Sequence, residues 1–66
     1  MESDMGNSER IHIQVQDKFS GNWRTYHTTY NESQRIIKEM QTIKDRTPDN
    51  RVRAVDNNGR LIDMLG

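Results

Sequence analysis

The 66-residue chain contains no cysteine, one proline, one tryptophan, two tyrosines and one phenylalanine. The lack of cysteine excludes disulfide bonds, thiol nucleophiles and zinc–thiolate sites. No apolar run approaches the roughly 18 residues that a membrane span needs. The first residues, MESDMGNSER, lack the basic start and apolar run of a secretory signal. We therefore expect a soluble protein, and the absence of cysteine fits a cytoplasmic location.

Charge of one sign is also lacking, because ten Lys and Arg residues balance ten Asp and Glu residues. This balance argues against a general nucleic-acid coat or a polybasic membrane anchor, although a local basic patch stays open. Hydrophobic residues make up only 30% of the chain. So small a domain supplies little apolar burial, and we expect a homodimer or another partner to add to it.

What the sequence does contain is a clear order of elements. Residues 1–9 are polar and aperiodic, which predicts a disordered tail before a single α+β domain over residues 10–66. From Arg10 apolar and polar residues alternate, which is typical of a half-buried strand. A turn containing Gly21 follows, and the β-branched and aromatic stretch WRTYHTT predicts the returning strand.

A helix follows the first hairpin. Asn31 can cap its N-terminus, with Gln34 reaching back as in a capping box. Arg35 and Glu39 are spaced to form a surface ion pair, and the helix should end near Arg46, before a Thr-Pro dipeptide. One apolar stripe with helical spacing is made of Ile36, Ile37, Met40 and Ile43.

The segment from Val52 to Met64 predicts a second hairpin. A turn through Asn57 and Asn58 with Gly59 as a left-handed bulge residue pairs Asp56 with Arg60. Continued along the strands, this register gives the pairs Arg53–Asp63, Ala54–Ile62 and Val52–Met64. Gly21 as the bulge residue of the first hairpin gives Gln16–Arg24, Gln14–Tyr26 and Ile13–His27.

The predicted fold class is therefore α+β, with the order β-β-α-β-β and one helix packed on one face of a small sheet. The sheet is expected to be antiparallel, with a mixed arrangement left open. The side chains expected beneath the helix are Ile11, Ile13, Val15, Val52, Ala54, Ile62 and Met64, with Trp23 near the rim. Those expected on the opposite face are His12, Gln14, Gln16, Arg24, Tyr26, Arg51, Arg53, Val55, Leu61, Asp63 and Leu65.

This uncovered face carries the candidate site. Its arginines, aromatic ring and aliphatic side chains suit a protein partner, a second copy of the chain, or a small anionic, nucleotide-like ligand. The alternative is a regulator that binds nucleic acid on a basic, aromatic platform. The candidate contact residues are Arg24, Tyr26, Arg51, Arg53, Val55 and Leu61.

Catalytic, cofactor and metal chemistry have no motif in the chain. A phosphate-binding glycine loop, a nucleophile elbow and a metal-binding helix pattern are all missing. His12 and His27 are predicted to point to opposite faces of the sheet, without a third ligand at a fixed spacing. We therefore expect a binding module, with no enzymatic activity, no cofactor and no metal site.

From Asn22 onward, and most specifically over RVRAVDNNGRLIDML, the chain resembles short uncharacterised proteins of phages and bacterial accessory regions. In that group a tryptophan-containing hairpin precedes a helix, and a similar terminal hairpin follows it. The resemblance implies a context only, because the group has no established activity from which a residue role could be transferred. Small phage proteins commonly bind and block a host protein, or sequester a host signalling molecule.

Overall fold

The computed structural model describes residues 9–65, which form a four-stranded sheet and one helix. All neighbouring strands are antiparallel, and the strand order is β2-β1-β3-β4. The predicted α+β fold class and element order are confirmed. The elements are β1 (Arg10–Gln16), β2 (Trp23–Tyr30), α1 (Ser33–Arg46), β3 (Val52–Asp56) and β4 (Leu61–Leu65).

The tail expected at residues 1–9 lies outside the described residues, apart from Glu9. Asn31 donates its backbone N–H to the Glu9 carbonyl and its side-chain amide to Glu9 Oε1, each at 3.1 Å. Asn31 therefore ties the start of β1 to the end of β2 and is not the helix cap that the sequence suggested.

Both turn glycines adopt the left-handed conformation that the sequence predicts. Gly21 and Gly59 have φ angles of 79° and 81°, a region that other residues rarely adopt. In the second turn Asp56 donates to the Arg60 carbonyl and accepts the N–H of Gly59, each at 3.0 Å. The predicted pairing of Asp56 with Arg60 is thus confirmed.

The Asp17 carboxylate organises the first turn. It accepts the Phe19 N–H at 2.9 Å and the Ser20 hydroxyl at 3.0 Å. These hydrogen bonds to the charged form, with the nearby Arg24 guanidinium, hold the pKa of Asp17 below its usual value. The turn is longer by one residue than predicted, since Asp17 pairs with Asn22 through the Asn22 carbonyl.

Both edge strands contain a β-bulge that the sequence analysis did not anticipate. In β2 the extra residue is Tyr26, because Ile13 pairs with His27 as predicted while Gln14 pairs with Thr25. A bulge changes the side-chain alternation on its strand, so the pairs nearer the turn differ from the prediction by one residue. The predicted pairs Gln14–Tyr26 and Gln16–Arg24 are therefore wrong.

In β4 the extra residue is Ile62. Val55 pairs with Leu61 on the turn side, whereas Asp63 pairs with Ala54 beyond the bulge. The predicted Arg53–Asp63, Ala54–Ile62 and Val52–Met64 pairs are consequently wrong, because Arg53 pairs with Met64 and Val52 with Leu65.

These bulges redistribute the side chains of the edge strands between the two faces. Leu65 packs against the core beneath the helix, and Met64 shares the opposite face with Arg53. Asp63 and Ile62 line a cavity with helix residues. The predictions that Met64 lies inward and that Asp63 and Leu65 lie outward are therefore wrong, whereas every assignment for β1 is confirmed by its burial pattern.

The helix covers β1, β2 and β3 with Ile36 and Met40, which are 4% and 0% exposed. Ile37, expected in the same stripe, is 52% exposed and faces the β4 side of the helix. No helix among residues 9–65 is long and apolar enough to cross a membrane. The buried apolar cluster consists of Ile11, Ile13, Val15, Ile36, Met40, Val52 and Ala54.

The helix ends differ in how well they were predicted. Glu32 is the N-cap residue, and it forms no side-chain capping bond. Arg35 contacts Glu32 at 3.3 Å and not Glu39 as predicted. The helix does end at Arg46, where Thr47 donates both its N–H and its hydroxyl to the Ile43 carbonyl.

Candidate functional site

The open face, defined as the sheet face away from α1, carries the Arg53 guanidinium toward the end nearest the first turn. The guanidinium carbon lies 4.1 Å from the centroid of the Trp23 ring. Arg53 is on β3 and Trp23 is on β2, so the arginine side chain crosses the intervening strand β1. Stacking of this kind is favourable for a guanidinium and leaves its charge intact.

A hydrogen-bond relay holds this arginine in place across three strands. Arg53 donates its Nε–H to Gln14 Oε1 at 2.8 Å, and Gln14 donates its side-chain amide to Thr25 Oγ1 at 3.1 Å. The register supports the relay because Gln14 pairs with both Arg53 and Thr25. Within residues 9–65 the Arg53 Nη groups have no hydrogen-bond acceptor, so these donors remain available to a carboxylate or phosphate.

A second arginine–aromatic pair lies at the other end of the open face. The Arg10 guanidinium carbon is 5.6 Å from the centroid of the Tyr30 ring. Between the two pairs, His12 contacts Thr28 Oγ1 at 3.1 Å through Nδ1 and donates its Nε2–H to Asn57 Oδ1 at 2.7 Å. The face therefore presents positive charge at both ends and satisfied polar groups in the middle.

The chain has no net charge, but the strand residues on the open face carry a net positive charge. Arg10 and Arg53 are the charged strand residues on that side, as their pairing with Tyr30 and Gln14 shows. Among the strand carboxylates, Asp63 pairs with Ala54 on the helix side, and Asp56 pairs with the buried Ile11 and is itself 5% exposed. Positive charge is thus concentrated where a partner can approach.

Four of the six predicted site residues are placed on or beside the open face, but they differ in accessibility. Arg53 is half-buried under its stacking and hydrogen-bond contacts, and Arg51 is exposed immediately before β3. Leu61 is 53% exposed, so it offers apolar contact area. Val55 is only 5% exposed between its neighbours His12 and Leu61 and supplies little contact surface itself.

Arg24 and Tyr26, the other two predicted site residues, lie on the helix side. Arg24 pairs with the buried Val15, and the bulge turns Tyr26 toward α1. Tyr26 separates two shallow cavities of about 260 and 290 Å³, one beside Arg24 and the other beside the helix residues Thr42 and Ile43. The prediction that Arg24 and Tyr26 lie on the open face is therefore wrong. A single inserted residue reverses the side-chain alternation of the part of β2 that precedes it.

Trp23 and Arg10 belong to the open face and were missed by the sequence analysis. Trp23 was predicted at the rim of the covered side because the bulge at Tyr26 was not predicted, and the same omission put Arg24 on the open face. The residue types themselves could have indicated Trp23. An arginine and a tryptophan on strands of one small sheet commonly stack, which would have placed Trp23 on the same face as Arg53.

The histidines lie on opposite faces, as predicted. His12 is held on the open face, whereas His27 Nε2 lies 3.6 Å from Glu39 Oε2 on the helix side. Among the described residues no group of three or more His, Cys, Asp or Glu side chains could hold a metal ion.

Comparisons of the chain with family models, curated proteins and solved structures give no match. The functional interpretation therefore depends on the arrangement of Arg53, Trp23 and Gln14 and on the charge of the open face.

Proposed function

We propose that the chain is a non-enzymatic binding module that recognises an anionic group of its partner through the open face. The partner class is a host protein or a small anionic, nucleotide-like ligand, in the manner of a phage-type accessory protein. The observation that carries the proposal is the Arg53 guanidinium, stacked on Trp23 at 4.1 Å and fixed by Gln14 at 2.8 Å. A guanidinium held in one orientation loses little rotamer entropy when its outer N–H groups bind a carboxylate or phosphate.

The other contacts of this module surround Arg53. Arg51 adds positive charge beside β3, Arg10 adds it at the far end of the face, and Leu61 supplies apolar area. Arginine is among the residues most often found at the energetic centre of a protein interface. The chain needs neither a deep cavity nor a cofactor for this function.

The test uses the single tryptophan as its own reporter. Wild-type protein is titrated with inorganic phosphate, adenosine monophosphate and a short polyglutamate peptide, while Trp23 fluorescence is recorded. We expect a saturable change with at least one of these anions. Arg53→Gln should weaken binding of that anion at least about tenfold, equivalent to 1.4 kcal/mol, because the charge-assisted hydrogen bonds are lost.

Arg24→Gln is the matched control, since it removes the same charge from the helix side of the same sheet. It should leave the affinity unchanged within about twofold at moderate salt, because exposed charges interact weakly beyond a Debye length. Equal weakening by both variants would show a nonspecific charge effect and contradict the proposal, as would the absence of any saturable change. Arg53→Lys should fall between wild type and Arg53→Gln, because lysine keeps the charge and loses the planar fork.

The second candidate is a nucleic-acid-binding regulator, favoured by the two arginine–aromatic pairs on one face. It is the weaker candidate because Arg53 already covers one face of the Trp23 ring, which a base would need for stacking. Binding of a single-stranded oligothymidylate that weakens steeply with salt, and that Arg51→Ala/Arg53→Ala abolishes, would favour it over the leading proposal.

A further inference from the structure

Strand β4 is apolar on both sides although it lies at the edge of the sheet. Its sequence LIDML is typical of a strand covered on both faces. Leu61 and Ile62 are nevertheless 53% and 39% exposed. Ile37 of α1, which is 52% exposed, extends the apolar surface of Ile62 onto the helix.

The apolar surface on the helix side is concave. A cavity of about 180 Å³ separates α1 from β4, with Ile36, Ile37 and Ile62 on its floor and walls. Asn31, Ser33 and Asp63 form its polar margin. An apolar centre with a polar margin is the usual anatomy of a protein–protein contact.

Addition of a further strand to β4 is opposed by two features of the edge. The bulge at Ile62 interrupts the ladder, and Asp63 Oδ1 accepts the Met64 N–H at 2.8 Å. Bulges and charged side chains on edge strands are common protections against edge-to-edge pairing. A partner of this surface therefore packs through side chains, in the cavity between α1 and β4.

Two residues of opposite charge lie close to Ile62 in the sequence, and one of them, Asp63, lines the cavity. Arg60 and Asp63 are both exposed and flank Ile62 along the chain. When two copies are related by a two-fold axis with their β4 strands antiparallel, Arg60 of each copy approaches Asp63 of the other. The apolar Ile62 and Ile37 side chains then meet between two ion pairs, as an isologous interface requires.

The size and net charge of the chain also suit a second copy. Within residues 9–65 the apolar cluster beneath the helix has seven buried residues, so further burial by association stabilises a domain of this size. The net charge is zero, so two copies do not repel each other at long range. The cavity is small, and a contact confined to it and its margin is typical of weak and reversible association.

We propose that two copies of this chain form a two-fold dimer through the α1–β4 cavity, with reciprocal Arg60–Asp63 ion pairs. The interface lies on the side of the sheet away from Arg53 and Trp23, so both open faces remain available in the dimer. The inference is independent of the proposed anion-binding function, and each can fail while the other holds.

Sedimentation equilibrium from micromolar to millimolar concentration tests the dimer with a matched pair of variants. Ile37→Asp and Leu61→Asp introduce the same charge at positions that are 52% and 53% exposed, on opposite sides of the sheet. Ile37→Asp should be monomeric at all concentrations, whereas Leu61→Asp should dimerise as wild type does. A monomeric wild type, or dissociation by Leu61→Asp but not by Ile37→Asp, would overturn the proposal.

A charge exchange tests the predicted geometry without substituting a core residue. Arg60→Glu and Asp63→Lys should each be monomeric, because each places like charges together at both ends of the interface. An equimolar mixture of the two variants should form a heterodimer. One ion pair then joins the introduced glutamate and lysine, and the other joins the original Asp63 and Arg60. Failure of the mixture to associate, when wild type does, would contradict the antiparallel two-fold arrangement.

Discussion

Met40→Ala should lower the free energy of unfolding by about 3 kcal/mol, within the usual 2–5 kcal/mol for removing a large buried side chain. Met40 is 0% exposed and lies in the centre of the apolar cluster between α1 and the sheet. Alanine would leave a cavity that the short strands cannot close by small movements. At the lower end of the ordinary stability range, about 5 kcal/mol, this loss would leave about 3% of the molecules unfolded.

Urea denaturation followed by circular dichroism measures this effect, with Met40→Leu as the control. Leucine has nearly the same volume, so Met40→Leu should cost less than about 1.5 kcal/mol. A loss below about 1 kcal/mol for Met40→Ala would mean that the helix does not pack on the sheet through this residue. The open face, which is defined as the sheet face that the helix does not cover, would then no longer be distinguished from the other face.

Asp56→Ala should lower stability by about 2–3 kcal/mol, although the substituted residue is the last of β3, where the second turn begins. Asp56 is 5% exposed, and its Oδ1 accepts the N–H groups of Asn58 at 2.9 Å and Arg60 at 2.8 Å. Alanine removes the acceptor of both donors at the point where β3 turns into β4. We expect hydrogen exchange to accelerate in β4 more than in β1 and β2, since β4 is held by this turn and one neighbouring strand.

Asp56→Asn is the control because the amide keeps one oxygen acceptor for the same two N–H groups. It should lose less than half of the stability that Asp56→Ala loses. Equal losses would assign the effect to the negative charge and not to the two turn hydrogen bonds. Uniform acceleration of exchange over all four strands would contradict a role confined to the second hairpin.

The element order and the turns could be predicted because their causes are local. The alternation of Ile11, Ile13 and Val15 identified the buried side of β1, and the burial pattern of that strand confirms it. Gly21 and Gly59 marked positions of positive φ. Arg53 was placed correctly because β3 contains no bulge and alternates with the buried Val52 and Ala54.

The edge strands could not be predicted as well because their bulges have no local cause in the sequence. Tyr26 and Ile62 are ordinary strand residues, and nothing in their chemistry marks the position of an inserted residue. One inserted residue moved Arg24 and Tyr26 to the helix side and Trp23 to the open face. The aromatic residue beside Arg53 is therefore Trp23, and not Tyr26 as predicted, whereas Arg53 itself lies on the predicted face.

The start of the helix shows a second limit of local reasoning. Asn31 has the right chemistry for an N-cap, but tertiary structure brings Glu9 beside it. Its N–H and its side-chain amide bond to Glu9, so a contact between residues distant in sequence replaces the local cap. The predicted Arg35–Glu39 pair failed similarly, since Glu39 lies beside His27.

The distribution of side chains between the two faces of the sheet is the claim on which both proposals depend. Nuclear Overhauser contacts in solution measure it most directly, through the aromatic rings of β2. We expect contacts between the Arg53 side chain and the Trp23 indole, and between the Tyr26 ring and Ile43 of the helix. Contacts from the Tyr26 ring to Gln14, without contacts between Arg53 and Trp23, would contradict the account.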